Sequence, residues 1–314
     1  MRILFVDTAH PVLRSSLEDA GHDCVDGFRL SRNEILESIH DYDGVIIRSR
    51  IQLDKEFLDH ASHLKFIGRV GAGMESIDVK YAESKGIACI NSPEGNKDAV
   101  GEHAIGMLLS LFNNLNRADS EVKEGKWIRE ANRGVELSGK TVGIIGYGMM
   151  GKAFAKKLSG FDCRVIAYDK YIHHFSDSFA KEVSMDEIFS ETDILSLHVP
   201  LSPETTYFVN DDYISRFKKN IYIINTARGK CLRTDDLIKN LESGKVIGAC
   251  LDTLEYEETS FEAIKDLKTH ISGLLKFSDR IVLSPHIAGW TKESNEKLAR
   301  VLAEKIIMKF PQSK

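Results

Sequence analysis

A chain of 314 residues suits two moderate domains, each able to bury a core of its own. Hydrophobic residues at 42% and charged residues at 28% describe an ordinary soluble globular protein. A net charge of −5 gives no basic field for a phosphate backbone, which argues against nucleic-acid binding, and no apolar stretch approaches the length of a membrane span.

The opening run Met1–Asp7 is apolar and ends in an acid, which reads as a first β-strand rather than a signal peptide. Strand-like and helix-like runs then alternate: Ile3–Val6 and Pro11–Ala20, Gly44–Arg48 and Asp54–Ser62, Leu64–Gly68 and Asp78–Lys85, then Ile87–Asn91. Alternation of this kind predicts a parallel sheet covered by helices, with the strand C-termini gathered on one edge. Ala99–Asn114 is apolar almost all round, the pattern of a buried helix, so a domain junction is placed near its start. Glu121–Val135 is charged around one tryptophan, Trp127, and reads as a surface arm.

A second alternation begins at Lys140, with strands expected at Thr141–Ile145, Arg164–Tyr168, Ile194–Leu197, Ile221–Asn225, Val246–Cys250 and Ile281–Leu283. Six parallel strands with a glycine-rich first turn describe a dinucleotide-binding sheet. Lys292–Lys309 is an amphipathic helix after that sheet is complete, expected to return to the N-terminal domain. The five cysteines are scattered without a C-x-x-C pair, so reduced thiols in a cytoplasmic protein are expected, with no disulfide and no metal site.

The turn after the first of these strands reads Gly146-Tyr-Gly-Met-Met-Gly151 and opens a helix. Gly146 permits the tight turn, Gly148 lets the backbone approach a diphosphate, and Gly151 lets helix and strand pack closely. The phosphates would lie on the helix N-terminus at Met149 and Met150, where the dipole favours negative charge. Asp169, 18 residues beyond Gly151 and at the end of the next strand, would accept hydrogen bonds from ribose hydroxyls. An acid there repels a 2′-phosphate, so the expected cofactor is NAD rather than NADP, although the neighbouring Lys170 could soften that preference.

Three further segments end predicted strands on the same edge: Ile224–Gly229, Leu251–Glu258 and Leu283–Gly289. Moving a hydride from an alcohol needs a base for the hydroxyl proton, a group that orients and tunes that base, and a clamp for the substrate. Histidine, a carboxylate and arginine are the residue types for those tasks, and His286, Glu257 and Arg228 are so placed in the sequence.

At these residues the sequence resembles the D-isomer-specific 2-hydroxyacid dehydrogenases. The resemblance runs through Val70–Gly73, Asn91–Asn96, Ala99–His103, Gly139–Gly146, His198–Pro200 and Asn225–Gly229. It implies that Arg228 binds the substrate carboxylate and keto oxygen, and that His286 is the acid/base with Glu257 as its partner. Glu257 lies five residues after Asp252, which would contact the nicotinamide amide. The N–H groups of Val70, Gly71, Ala72 and Gly73 would hold the substrate carboxylate. Val199 and Pro200 would line the adenosine side, His198 matches the cofactor groove and is given no proton-transfer role, Thr226 and Ala227 would run along the nicotinamide riboside, and Arg228, His286 and Gly289 complete the expected cofactor contacts. A departure lies after Glu257, where Glu258-Thr-Ser replaces the usual proline, so Glu255 and Glu258 stay open as partners of His286.

The implied fold is α/β, two doubly wound parallel-sheet domains. A Rossmann NAD-binding domain at 99–285 is inserted into a flavodoxin-like substrate-binding domain formed by 1–98 and 286–314. Gly95–Ala99 and Pro285–Gly289 are the expected hinges. A homodimer through the Glu121–Val135 arm and the apolar helix before it is implied as well. Within the family the sequence looks closest to the D-3-phosphoglycerate dehydrogenases, on Val45–Arg50, Ser92–Asn96 and Gly134–Lys140. The substrate would then be phosphorylated, with Arg48 and Ser49 receiving the phosphate and Arg50 or Arg69 in reserve. The length of 314 residues is read as leaving no room for a C-terminal regulatory domain. A reductase of hydroxypyruvate, glyoxylate or another 2-keto acid is the alternative of the same class. An NAD-sensing, corepressor-like protein is the alternative of a different one.

Overall fold

In a computed structural model that describes residues 1–257 and 264–311, the chain divides into two units. Among these residues, one unit is Met1–Asn96 with 290–311, the other Lys97–Glu257 with Ile264–Gly289.

The first unit holds five parallel strands, β1 (Arg2–Phe5), β2 (Asp23–Asp26), β3 (Gly44–Ile47), β4 (Phe66–Arg69) and β5 (Ala88–Asn91), in the order β2-β1-β3-β4-β5. This is the flavodoxin-like order, which reverses between β1 and β3. Both faces are covered, so the inner strands β1, β3 and β4 carry apolar residues on both sides. Leu4, Val45 and Ile67 pack with Ile35 and Phe57 on one face, and Ile3, Phe5 and Ile46 with Leu13 and Leu17 on the other. The C-terminal helix Lys292–Lys309 joins that second face through Leu302 and Ile306, and Lys305 anchors it by bonding the Glu94 carboxylate at 2.8 Å. Thr291 caps this helix by accepting from the amide of Ser294.

The second unit is a sheet of seven parallel strands, one more than the sequence pattern predicts. They are β6 (Thr141–Ile145), β7 (Arg164–Tyr168), β8 (Lys181–Glu182), β9 (Ile194–Leu197), β10 (Ile221–Asn225), β11 (Val246–Leu251) and β12 (Ile281–Leu283). Their order, β12-β11-β10-β9-β6-β7-β8, is the dinucleotide-binding arrangement with one strand added beyond the sixth. The sequence pattern misses β8 because two residues carry no periodicity. Parallel pairing puts the loops after β6, β7, β9, β10, β11 and β12 on one edge, and the order reverses between β6 and β9.

The apolar helix Lys97–Phe112 buries Val100, Ala104, Leu108 and Phe112 in this unit. Gly101 brings it against the helix Met149–Leu158, since a Cβ there would lie 3.2 Å from the backbone of Ala153. The expected arm is in part a helix, Leu115–Lys123, and Trp127 beyond it is 80% exposed. Among the described residues, no helix is long and apolar enough to cross a membrane, and no cluster of His, Cys, Asp and Glu is arranged to hold a metal ion.

Candidate active site

The three polar residues expected to do the chemistry sit at the ends of β10, β11 and β12, which are neighbours in the sheet. After β10, Asn225 shapes the turn: its Oδ1 accepts from the amide of Ala227 at 3.1 Å and its Nδ2 donates to the carbonyl of Arg228 at 3.0 Å. Gly229 follows because the backbone of Leu254 and Glu255 lies against it; a Cβ there would stand 2.0 Å from the Leu254 carbonyl. The Arg228 turn and the loop after β11 are therefore in direct backbone contact.

That second loop carries Glu257, whose Oε1 accepts from the amide of Leu254 at 2.5 Å and whose Oε2 is 2.7 Å from Nδ1 of His286. Of the acids left open by the sequence, Glu255 hydrogen-bonds Tyr207 and Tyr256 instead. Glu258 lies outside the described residues.

His286 has φ +53°, a left-handed conformation uncommon for a residue with a Cβ. Asp252 imposes it. The backbone amide of His286 donates to the Asp252 carbonyl at 2.7 Å, and the amides of Ile287 and Ala288 donate to the two carboxylate oxygens at 2.9 Å each. Asp252 is 1% exposed. Burial alone would push its carboxyl up, yet hydrogen bonds from His103, Ser284, Ala288 and Ile287 hold it below the ordinary carboxylate range.

In the first unit, the structure corrects part of the expected anion nest. The amide of Val70 donates to the carbonyl of Ile47 and that of Gly71 to Arg69, both at 2.9 Å, so neither N–H remains for a substrate. Ala72 and Gly73 are left as the candidate donors. Gly71, at φ +152°, admits Arg69: a Cβ would lie 1.2 Å from its Nη1. Asp7 organises the loop after β3 by accepting from the amides of Arg48, Ser49 and Arg50. The guanidinium of Arg48 lies 4.3 Å from the ring centre of Trp290. Arg50 is no reserve for a phosphate, because its guanidinium donates to the carbonyls of Val6, Gly27 and Leu30.

Residues 105–288 match the family model described as D-isomer specific 2-hydroxyacid dehydrogenase, NAD binding domain. The chain belongs to this family. A D-3-phosphoglycerate dehydrogenase of Archaeoglobus fulgidus is 34% identical to it over 280 residues, 88% of this chain and 51% of the relative, so the chain spans about half the length of that protein. A hydroxypyruvate reductase of Thermotoga maritima is 35% identical over 277 residues, 88% of each chain. Among solved structures, an NAD-dependent formate dehydrogenase from Staphylococcus aureus in complex with NAD aligns with a TM-score of 0.78 at 26% identity, covering 100% of this chain and 97% of that one.

The cofactor of this 2-hydroxyacid dehydrogenase domain is NAD, and the residues after β6 fit it. Gly146 has φ +92°, and a Cβ on it would lie 2.6 Å from the carbonyl of His198; Val199 closes the same side. A Cβ on Gly151 would lie 2.1 Å from the carbonyl of Gly146. A Cβ added to Gly148 would meet no atom of the other described residues within 4 Å, its chain neighbours aside, and the helix Met149–Leu158 that it begins has no side-chain cap. Space beside uncapped helix amides is what a diphosphate requires. Asp169 is held at the end of β7 by the amides of Tyr147, Tyr171 and Ile172 at 2.8–3.0 Å. Thr226 Oγ1, after β10, is buried and has no hydrogen-bond partner among the described residues, which fits a cofactor hydroxyl or amide beside it.

His198 contributes its backbone rather than its ring to this edge. The ring packs on Phe154 with centres 5.2 Å apart and reaches Ser196 Oγ at 2.8 Å, and burial pushes its pKa down to about 3. Sequence reasoning missed Asn225, whose signal was an Asx residue at a strand end, and the contacts of His103 and Ser284 with Asp252.

Proposed function

We propose that the chain is an NAD-dependent dehydrogenase acting on the CH–OH group of D-2-hydroxy acids. When bound, NAD supplies the acceptor for the C2 hydride. His286 accepts the C2 hydroxyl proton in oxidation and returns it in reduction, as an imidazole near neutrality is suited to do. Glu257, on Nδ1, fixes the ring so that Nε2 serves the substrate, and its negative charge balances the charge the ring gains. Arg228 holds the substrate carboxylate through two parallel hydrogen bonds. The amides of Ala72 and Gly73 and the side chains of Arg48 and Ser49 are candidate contacts for anionic groups. Asp169 serves the adenosine ribose, Thr226 and Ala227 the nicotinamide riboside, and Asp252, Gly289, Val199 and Pro200 flank the cofactor. The observation that carries this reading is the 2.7 Å His286–Glu257 pair on the sheet edge that also bears Arg228.

For the physiological substrate we propose 3-phosphoglycerate, oxidised to 3-phosphohydroxypyruvate at the entry to serine synthesis, in a cytoplasmic homodimer. Similarity to the Archaeoglobus relative and the arginine at position 48 support the substrate, and the exposed Val122, Trp127, Ile128 and Val135 support the dimer. Reduction of hydroxypyruvate is the second reading, favoured by the Thermotoga relative that is matched along 88% of its length. Steady-state turnover with NAD and 3-phosphoglycerate, D-glycerate or D-lactate, and with NADH and hydroxypyruvate or glyoxylate, tests both. The first reading expects the highest kcat/KM on 3-phosphoglycerate. Preference for hydroxypyruvate selects the second, and NAD binding without turnover of any acid would sink both in favour of a sensor.

A further inference from the structure

His103 and Ser284, separated by 181 residues, meet beside Asp252. His103 stands on the helix Lys97–Phe112, and its Nε2 is 2.9 Å from Ser284 Oγ. That hydroxyl is 2.6 Å from Asp252 Oδ1, and His103 Nε2 itself comes within 3.4 Å of the same oxygen. A hydroxyl has one proton, and the short contact with a carboxylate claims it. The imidazole nitrogen must therefore carry a proton of its own and donate into the hydroxyl lone pair. The result is a chain of aligned donors, imidazole to hydroxyl to carboxylate, in which each bond polarises the next.

The same carboxylate accepts from the amides of the two residues directly after His286, Ile287 on the Oδ1 that Ser284 also bonds and Ala288 on Oδ2. The contacts of Ser284 and His103 thus position the carboxylate, and the carboxylate fixes the turn that puts His286 in its left-handed conformation. A turn of that kind persists only where surrounding bonds over-determine it. We propose that His103 is a positioning residue for proton transfer: through Ser284 and Asp252 it sets the His286 turn, and with it the approach of the imidazole to Glu257. The kinetic part of this assignment rests on the reading of His286 as the acid/base.

Three variants separate this role from plain packing. H103L keeps bulk and removes the donor, H103Q restores an N–H donor at similar reach, and S284A removes the middle link. H103L and S284A are each expected to lower kcat about tenfold, with NADH affinity by fluorescence titration unchanged, because a small misplacement of a catalytic group acts on the chemical step. H103Q is expected to recover most of the loss. The H103L/S284A double variant should be no slower than S284A alone, since both cut one chain. In the NMR spectrum without substrate, the His286 Cε1–H signal should move in H103L and S284A and stay in place in H103Q. Wild-type kcat in H103L with the signal unmoved would overturn the proposal, as would a glutamine no better than leucine or a multiplicative loss in the double variant. If H103L does not fold, H103Q and S284A decide by the same two readouts. A wild-type protein that turns over no 2-hydroxy acid refutes the functional reading, while the NMR signals still decide this one.

Discussion

Nδ1 of His286 and Oε2 of Glu257 are 2.7 Å apart, and the other carboxylate oxygen of Glu257 is held by the amide of Leu254. The glutamate is thus anchored at one end by its own loop and presents the other to the imidazole. Glu257→Gln keeps the shape but removes the charge that fixes ring and tautomer. Its kcat on the best 2-hydroxy acid is expected to fall about 100-fold, within the span found for general acid–base groups, with KM for NAD little changed. Glu255→Gln, which loses only bonds to Tyr207 and Tyr256, should retain kcat. A comparable loss in both variants would remove Glu257 from its role.

The glycine turn permits a sharper separation of fold from cofactor binding. Gly148 has an extended ψ and φ −77°, which alanine adopts freely, and no atom of the other described residues, its chain neighbours aside, lies within 4 Å of the position its Cβ would take. Gly148→Ala should leave the thermal midpoint unchanged while raising the Kd for NADH at least about tenfold, because the methyl fills the space assigned to the diphosphate. Gly151→Ala meets the carbonyl of Gly146 at 2.1 Å, a backbone contact that cannot move cheaply. It should cost about 1–3 kcal/mol of stability in addition to cofactor affinity. Unchanged NADH binding in Gly148→Ala, measured by fluorescence titration, would refute the assignment.

These glycines were legible in the sequence because their spacing follows from local geometry, and so were the long periodic helices and the fully buried strands. β2 was not: Asp23-Cys-Val-Asp26 offers two apolar residues between acids, too short an alternation to register. The helix Arg32–Ser38 was missed although Ser31 and Glu34 form a capping box before Ile35. The site divides along the same line. That Arg228 and His286 lie at strand ends on one edge of the sheet could be read from the sequence, whereas the pairing of Glu257 rather than Glu255 with His286 could not, and Val70 and Gly71 were credited with amides that neighbouring carbonyls already use. The His103–Ser284–Asp252 contacts join distant stretches of chain, and no local pattern announces them.

Burial of His198 gives the folded state a pH dependence of known sign. Its ordinary pKa is 6.5, and burial lowers it to about 3 in the fold. Between those values the unfolded chain binds a proton that the folded chain refuses, so stability falls as pH drops through the window and is recovered above 6.5. The slope from one such group is at most about 1.4 kcal/mol per pH unit, or about 1–2 kcal/mol lost between pH 6.5 and 5. His198→Gln, which does not titrate, should show a correspondingly smaller loss. Urea unfolding followed by circular dichroism at pH 5 and 7 measures the difference, and parallel curves for the two proteins would contradict it.

The preference between NAD and NADP turns on a lysine that the structure ties down. Lys170 follows Asp169 at the end of β7, where a positive charge would attract the 2′-phosphate of NADP. Its Nζ instead contacts Glu204 Oε2 at 2.7 Å, and Tyr171 donates its hydroxyl to the same oxygen, also at 2.7 Å. The two donors, Lys170 first, hold the Glu204 carboxyl below its ordinary range, so it stays charged at neutral pH and balances the lysine. Glu204→Gln removes that balance without touching Asp169. All three side chains are exposed, so the gain is small: kcat/KM with NADP should rise about two- to fivefold, in line with the worth of a surface ion pair, while kcat/KM with NAD holds. Salt should diminish the gain, since screening weakens an exposed lysine acting on a phosphate. In Glu204→Gln/Lys170→Ala the gain should vanish; if it persists, the lysine is not its source and Glu204 must act on the cofactor by itself.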